Sequence, residues 1–224
     1  MEFFKGVSPI KGCPFLIIDS REKYGVVADL HIGSTIEEEK KGIVFAEIEK
    51  RMGREINQIC KSREIKRLII LGDVKETIGY PERKELKMLS NFFSNIECDL
   101  IICKGNHDGM IEEVLKDISV SATIKKEILI GRFAFFHGHS FPSKEAMRKK
   151  TMVMGHYHFL IGTGEKAWVV SKSKGKELVI VPSYSYATGG ITIENIKECL
   201  LFKRNLFELS NTKVYGPDLK LIKQ

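Results

Sequence analysis

Five short clusters in this 224-residue sequence carry side chains that bind metals or move protons: Asp29-Leu-His31, Gly72-Asp73, Gly105-Asn106-His107-Asp108, His137-Gly-His139 and Gly155-His156-Tyr-His158. Together they hold carboxylates, an amide and several imidazoles, and no thiolate. That mixture suits borderline-to-hard divalent cations such as Mn, Fe, Zn or Ni, and the missing thiolates argue against a structural zinc site. Two ions about 3.5 to 4 Å apart need a bridging carboxylate with further ligands on either side, and the clusters supply both. Taken singly each cluster is ordinary. Gly-Asp and Gly-Asn punctuate turns, Asp108 fits a cap for a helix starting near Met110, and His-Gly-His fits a turn. Two residues apart on a strand, His156 and His158 are expected to point the same way.

The segments before the clusters explain why they converge. PFLIID (14–19), YGVVADLH (24–31), KRLIILGDV (66–74) and CDLIICKGNHD (98–108) read as strands, the third apolar enough to be buried on both faces. Between them, Val44, Ile48, Met52, Ile56 and Cys60 recur every four residues and predict one helix from Ile36 to about Cys60. Pro81 opens a second, with Leu86, Leu89, Phe93 and Ile96 on one side. The result is a βαβαβ unit with parallel strands, whose ligands gather beyond the strands' carboxyl ends. After Ser119 the pattern turns to strands (SVSAT, EILI, RFAFFHGH, TMVMGHYH, AWVVSKS, ELVIVPSY and ITIENI) with one short helix around 143–150. This predicts a second, partly antiparallel sheet packed on the first. With no linker or repeat, residues 1–224 are expected to form one α/β domain.

Composition narrows the function classes. A hydrophobic content of 43% allows a packed core. Apolar runs such as FLII (15–18) fall far short of the roughly 20 residues of a membrane helix, and the first residues show no signal-peptide pattern, so a cytoplasmic protein is expected. Five cysteines without a C-x-x-C pair suit reduced thiols. A net charge of +7 permits an anionic substrate, and the basic clusters at 144–150 and 172–176 read as solvated surface.

The ordered motifs D-x-H, G-D, G-N-H-D, H and G-H-x-H, running from Asp29 to His158, resemble those of the calcineurin-like metallophosphoesterase superfamily. The resemblance implies a four-layer αββα sandwich with two mixed sheets between helices. It implies that Asp29, His31, Asp73 and His158 bind one metal and Asp73, Asn106, His137 and His156 the other, Mn above all, with Fe, Zn or Ni as alternatives. His107 is then the residue that meets phosphate and helps protonate the leaving group, while a hydroxide bridging the metals attacks phosphorus. His137 is preferred to His139 as ligand because it directly follows FAFF; His139 is left to the second shell or the substrate.

The branch this sequence resembles is that of archaeal SbcD-related and DNA-ligase-associated phosphoesterases, which implies phosphodiester cleavage on a nucleotide or on nucleic acid, single-stranded for instance. No separate cap domain is expected, since only 66 residues follow His158. A phosphomonoesterase, a cyclic-nucleotide phosphodiesterase and a non-catalytic metal-bound interaction module are the alternatives, and self-association is left open. In GDVKE, Lys75 reads either as a phosphate contact or as a surface lysine at a helix entry. Within PSYSYATGG (182–190), Tyr184 and Tyr186 read either as base-stacking or as packing residues.

Overall fold

The computed structural model describes residues 1–43, 47–162 and 164–223. A first sheet takes the strands β1 (Val7–Pro9), β2 (Leu16–Asp19), β3 (Lys23–Val27), β4 (Arg67–Ile70), β5 (Asp99–Cys103) and β6 (Ala122–Lys125), in that spatial order. Strands β3 to β6 run parallel. Parallel neighbours need crossovers, and these are α1 (Ile36–Lys40) and α2 (Ile48–Ser62), α3 (Arg83–Phe93) and α4 (Ile111–Asp117).

A second sheet has the order β15-β14-β12-β13-β9-β8-β7, built from β7 (Glu127–Ile130), β8 (Phe133–Phe136), β9 (Thr151–Met154), β12 (Trp168–Ser173), β13 (Lys176–Ile180), β14 (Thr212–Tyr215) and β15 (Leu221–Lys223). Strands β8, β9 and β13 are parallel and the rest antiparallel. The small hairpin of β10 (Leu160–Ile161) and β11 (Glu165–Lys166) stands apart. The helices α5 (Lys144–Arg148) and α6 (Leu200–Lys203) complete the set.

The period of two along each strand sorts side chains into layers. Leu68 and Ile70 of β4 join Met52, Ile56, Leu89 and Phe92 under the helices, whereas Ile69 and Leu71 face Phe135, Val153 and Val179 between the sheets. On the far side Met152, Met154, Leu178 and Ile180 pack against Ile193, Ile196, Leu201 and Phe202. The expected helix–sheet–sheet–helix sandwich is therefore what the chain adopts. Each large apolar side chain buried in these layers contributes about 1.5–3 kcal/mol before the entropy of ordering it.

Three local expectations fail for identifiable reasons. The single helix from Ile36 to Cys60 is two helices: α1 stops at Lys40, and Gly42 takes φ +91°, a left-handed conformation that cannot continue a helix. Val44, the start of the fourfold repeat, lies outside the described residues. SVSAT does not start the second sheet, because α4 acts as one more crossover and returns β6 parallel to β5. ITIENI is no strand: Ile193–Glu198 forms a 3₁₀ turn that buries Ile193 and Ile196, three apart, on one side.

Candidate metal centre

All five clusters follow strand ends, and the structure brings them to one place. Asp29 and His31 follow β3, Asp73 follows β4, and Asn106 and His107 follow β5; from the other sheet His137 follows β8, and His156 and His158 follow β9. The period-two expectation for the last pair does not hold, because β9 ends at Met154 and both histidines have left-handed backbones, φ +74° and +43°. The turn still aims them inward. The His156 N–H donates to the Asp29 carboxylate at 2.9 Å, and His158 Nε2 sits 3.3 Å from the same group.

Asp29, His31 and Asp73 also have positive φ, at 54°, 45° and 47°. Such conformations cost free energy in non-glycine residues and gather where function holds them in place. The motif glycines answer to the same crowding. A Cβ on Gly105 would stand 2.2 Å from the Asp73 carboxylate, one on Gly155 2.5 Å from that of Asp29, and one on Gly72 2.5 Å from the His137 ring.

Donor atoms gather into two adjoining triads, Asp29–His31–His158 and Asp73–His137–His156. Asp73 Oδ2 is 3.3 Å from His137 Nε2 and 3.7 Å from His31 Nε2, so its carboxylate stands between them. Asn106 Oδ1 lies 3.1 Å from His137 Nε2. Three imidazoles have their other nitrogen bound to an acceptor: His31 Nδ1 to Glu76 Oε2 at 2.8 Å, His137 Nδ1 to the Leu71 carbonyl at 2.7 Å, and His158 Nδ1 to the Gly189 carbonyl at 3.1 Å. Metal-binding histidines are oriented in this way, by the nitrogen opposite the ligating one; the Nε2 of His137 meets Asn106 and His156, and those of the other two are bare.

The two bare nitrogens, His31 Nε2 and His158 Nε2, are buried and have no hydrogen-bond partner among the described residues. Leaving such atoms unpaired costs about 1–3 kcal/mol each, so the donor set fits divalent cations rather than self-sufficient packing.

The electrostatics of the ion-free chain agree. Burial opposes charge on His137, yet the hydrogen bond to Asp73 and the charges of Asp29 and Asp73 raise its pKa to about 9. Burial and the His137 charge push His156 down to about 4, keeping it neutral. Against burial, His137 holds the Asp73 carboxyl well below the usual range.

The folded pKa of His137 exceeds its ordinary 6.5, so in the ion-free chain its protonation contributes stability below that value, lost as pH rises through about 9. A cation bound through His137 would have to displace the same proton. Mn affinity of the chelator-stripped protein should therefore rise about tenfold per pH unit between about pH 6 and 8. Calorimetric titration checks this, and a flat profile would count against His137 as a ligand.

The remaining candidates divide. His107 donates its backbone N–H to Asp73 Oδ1 at 2.9 Å, its Nδ1 meets the Glu76 carbonyl, and its ring centroid is 5.0 Å from that of His31. His139 is exposed at the rim, 5.2 Å from the His137 ring.

Lys75 is not placed to meet a substrate. It is fully buried, and its ammonium donates to the carbonyls of Thr77, Ile78 (3.1 Å), Gly79 (2.8 Å) and His107 (2.7 Å). Tyr184 is likewise turned away, its ring buried beneath α2 and its hydroxyl accepting from the Cys13 thiol. Asp108 does not cap α4 with its side chain; it accepts from the N–H groups of Val74 and Gly105 at 2.9 and 2.8 Å and ties two of the loops together. Tyr157 packs, stacked on Phe159, and accepts from the N–H of Leu200.

Sequence reasoning missed Glu76. Its carboxylate orients His31, its carbonyl holds His107, and the three residues bring ligand-type atoms together. The signal is the acid three residues after Asp73 in GDVKE.

Among the described residues no helix is long and apolar enough to cross a membrane. No family model and no curated protein matches this sequence. An archaeal phosphodiesterase is similar over 71% of this chain and 83% of its own, at 17% identity and a TM-score of 0.40. The phosphoesterase Yfce from E. coli is similar over 90% and 97%, at 14% identity and a TM-score of 0.41. The nuclease MPE of Pseudomonas putida is similar over 95% of this chain and 97% of its own, at 16% identity and a TM-score of 0.60, which shows that the two chains share a fold from end to end.

Proposed function

We propose that this chain is a dinuclear-metal phosphoesterase that hydrolyses a phosphodiester of nucleotide or nucleic-acid type, with Mn as the best-suited ion. The observation that carries the proposal is the pair of adjoining Asp/His triads, in the first of which the buried nitrogens His31 Nε2 and His158 Nε2 lack partners among the described residues. Asp29, His31, Asp73 and His158 would hold one ion and Asp73, Asn106, His137 and His156 the other. When bound, such ions lower the pKa of a coordinated water and neutralise charge on phosphate oxygens.

The chain's own residues do the rest. His107, with Nδ1 engaged by the Glu76 carbonyl, has Nε2 left to donate a proton to the departing oxygen. Glu76 fixes His31 and, through its backbone, His107. His139 at the rim is placed to meet the ester. A nuclease of the same fold is in keeping with a nucleic-acid or nucleotide ester. Residues 1–224 would form one domain, because a single apolar cluster joins both sheets.

The basic clusters do not serve this site. They meet each other, Lys176 Nζ donating to the Lys149 carbonyl at 2.9 Å, but they precede β13 and β9, whereas the metal ligands follow β9. A four-residue strand separates them, about 13 Å. That placement favours a small diester or a strand end over a long duplex laid across the patch.

The test is hydrolysis by the Mn-reconstituted protein of bis-p-nitrophenyl phosphate, p-nitrophenyl phosphate, 2′,3′-cyclic nucleotides and single-stranded DNA in parallel. Diester preference is expected; monoester preference would overturn the substrate class. His107→Asn should keep both ions and lose about 10²-fold or more in turnover on esters with poor leaving groups. Full retained turnover would remove its acid role.

A further inference from the structure

One cavity of the molecule lies apart from the candidate metal ligands. It is a cleft of about 600 Å³ beside the metal centre, walled by Pro14, Trp168, Tyr184 and Tyr186, with Glu55, Gln58, Glu165 and Lys166 as polar groups. That size and make-up, mostly apolar with a few placed polar atoms, is typical of small-molecule sites. The segment 183–185 separates it from the candidate ligands: Ser183 Oγ and the Ser185 N–H bond to the Asp29 carbonyl, and the Tyr184 ring faces the other way.

Its lysine makes no ion pair among the described residues. Lys166 donates to the Ser185 carbonyl and has no carboxylate within ion-pair distance among the described residues. An ammonium has three donors, so two are left for a ligand or solvent. Of the two acids in the wall, Glu165 is exposed, and Glu55 is already engaged, accepting from the Tyr186 hydroxyl at 2.8 Å with Arg51 Nε at 3.6 Å. Arg51 and Lys166 lie 4.5 and 5.7 Å from the Tyr186 ring centroid. The Gln58 amide makes no hydrogen bond among the described residues and offers a donor and an acceptor side by side.

We propose that this cavity binds a mononucleotide, its base against the aromatic wall and the Gln58 amide and its phosphate on Lys166. Aromatic faces suit any base, an amide suits a base edge, and a lone ammonium suits a phosphate. The site is independent of the metal centre and stands or falls without it.

Trp168 is the only tryptophan in the chain and lies in the cavity wall, so its fluorescence reports occupancy directly. The full chain, freed of metal by a chelator, is titrated with AMP, adenosine and inorganic phosphate. A saturable change in Trp168 emission is expected with AMP, at a Kd below about 1 mM, with the other two at least about tenfold weaker. Lys166→Met should weaken AMP about tenfold and leave adenosine unchanged. Gln58→Glu, at an exposed position that does not endanger folding, should weaken AMP similarly by removing the amide donor that meets the base edge. No saturable response up to about 10 mM, AMP binding that survives Gln58→Glu, or binding abolished by His156→Ala would each overturn the proposal.

Discussion

Asp73→Asn is expected to lower Mn-dependent turnover about a thousandfold, a loss of about 4 kcal/mol of transition-state stabilisation, and to reduce the metal held per chain. The substitution is unusually clean. Asn tolerates the left-handed backbone at this position, φ +47°, and its amide oxygen can still accept the His107 N–H. What disappears is the negative charge between His31 and His137, the feature a shared ligand needs. Metal analysis and turnover are measured together. Unchanged values of both would exclude Asp73 as the bridge, whereas loss of turnover with full metal content would limit it to a role in chemistry.

The second large effect concerns folding. Lys75→Met keeps the length and most of the apolar contacts of the side chain but removes the ammonium from four carbonyls. Buried carbonyls stripped of a charged donor should cost about 3 kcal/mol or more, a fall in melting temperature of about 6–12 °C for a chain of this size. A phosphate contact would behave in the opposite way, raising KM with an unaltered melt. The melt is read on chelated protein, so that loss of metal cannot imitate the effect.

These two residues mark the boundary of what the sequence could disclose. Asp73 was legible because it follows an apolar run that reads as a buried strand, and the chemistry of its companions then narrows its use. Lys75 was not, because its role depends on where Thr77, Ile78, Gly79 and His107 direct their carbonyls, which is a property of two loops folded together.

The same division applies elsewhere. His156 and His158 were picked out by type, yet the strand geometry assigned to them was wrong, since a turn with positive φ aims them. The sandwich followed from alternating and continuous apolar runs, while the break between α1 and α2 followed from one glycine inside an otherwise helical repeat. Glu76 is significant only through contacts with His31 and His107, residues 45 and 31 positions away.

The candidate ligands also come from both halves of the sandwich: Asp29, Asp73 and Asn106 follow strands of one sheet, and His137, His156 and His158 follow strands of the other. An ion held by this set would act as a rivet through the molecule, closing a loop on the order of 130 residues between Asp29 and His158. At a hundredfold excess over its Kd it would add about 2.7 kcal/mol to the stability of the folded chain. Mechanical integrity and the proposed turnover would then share one control, and a cell short of the metal would lose the chain's durability together with that turnover.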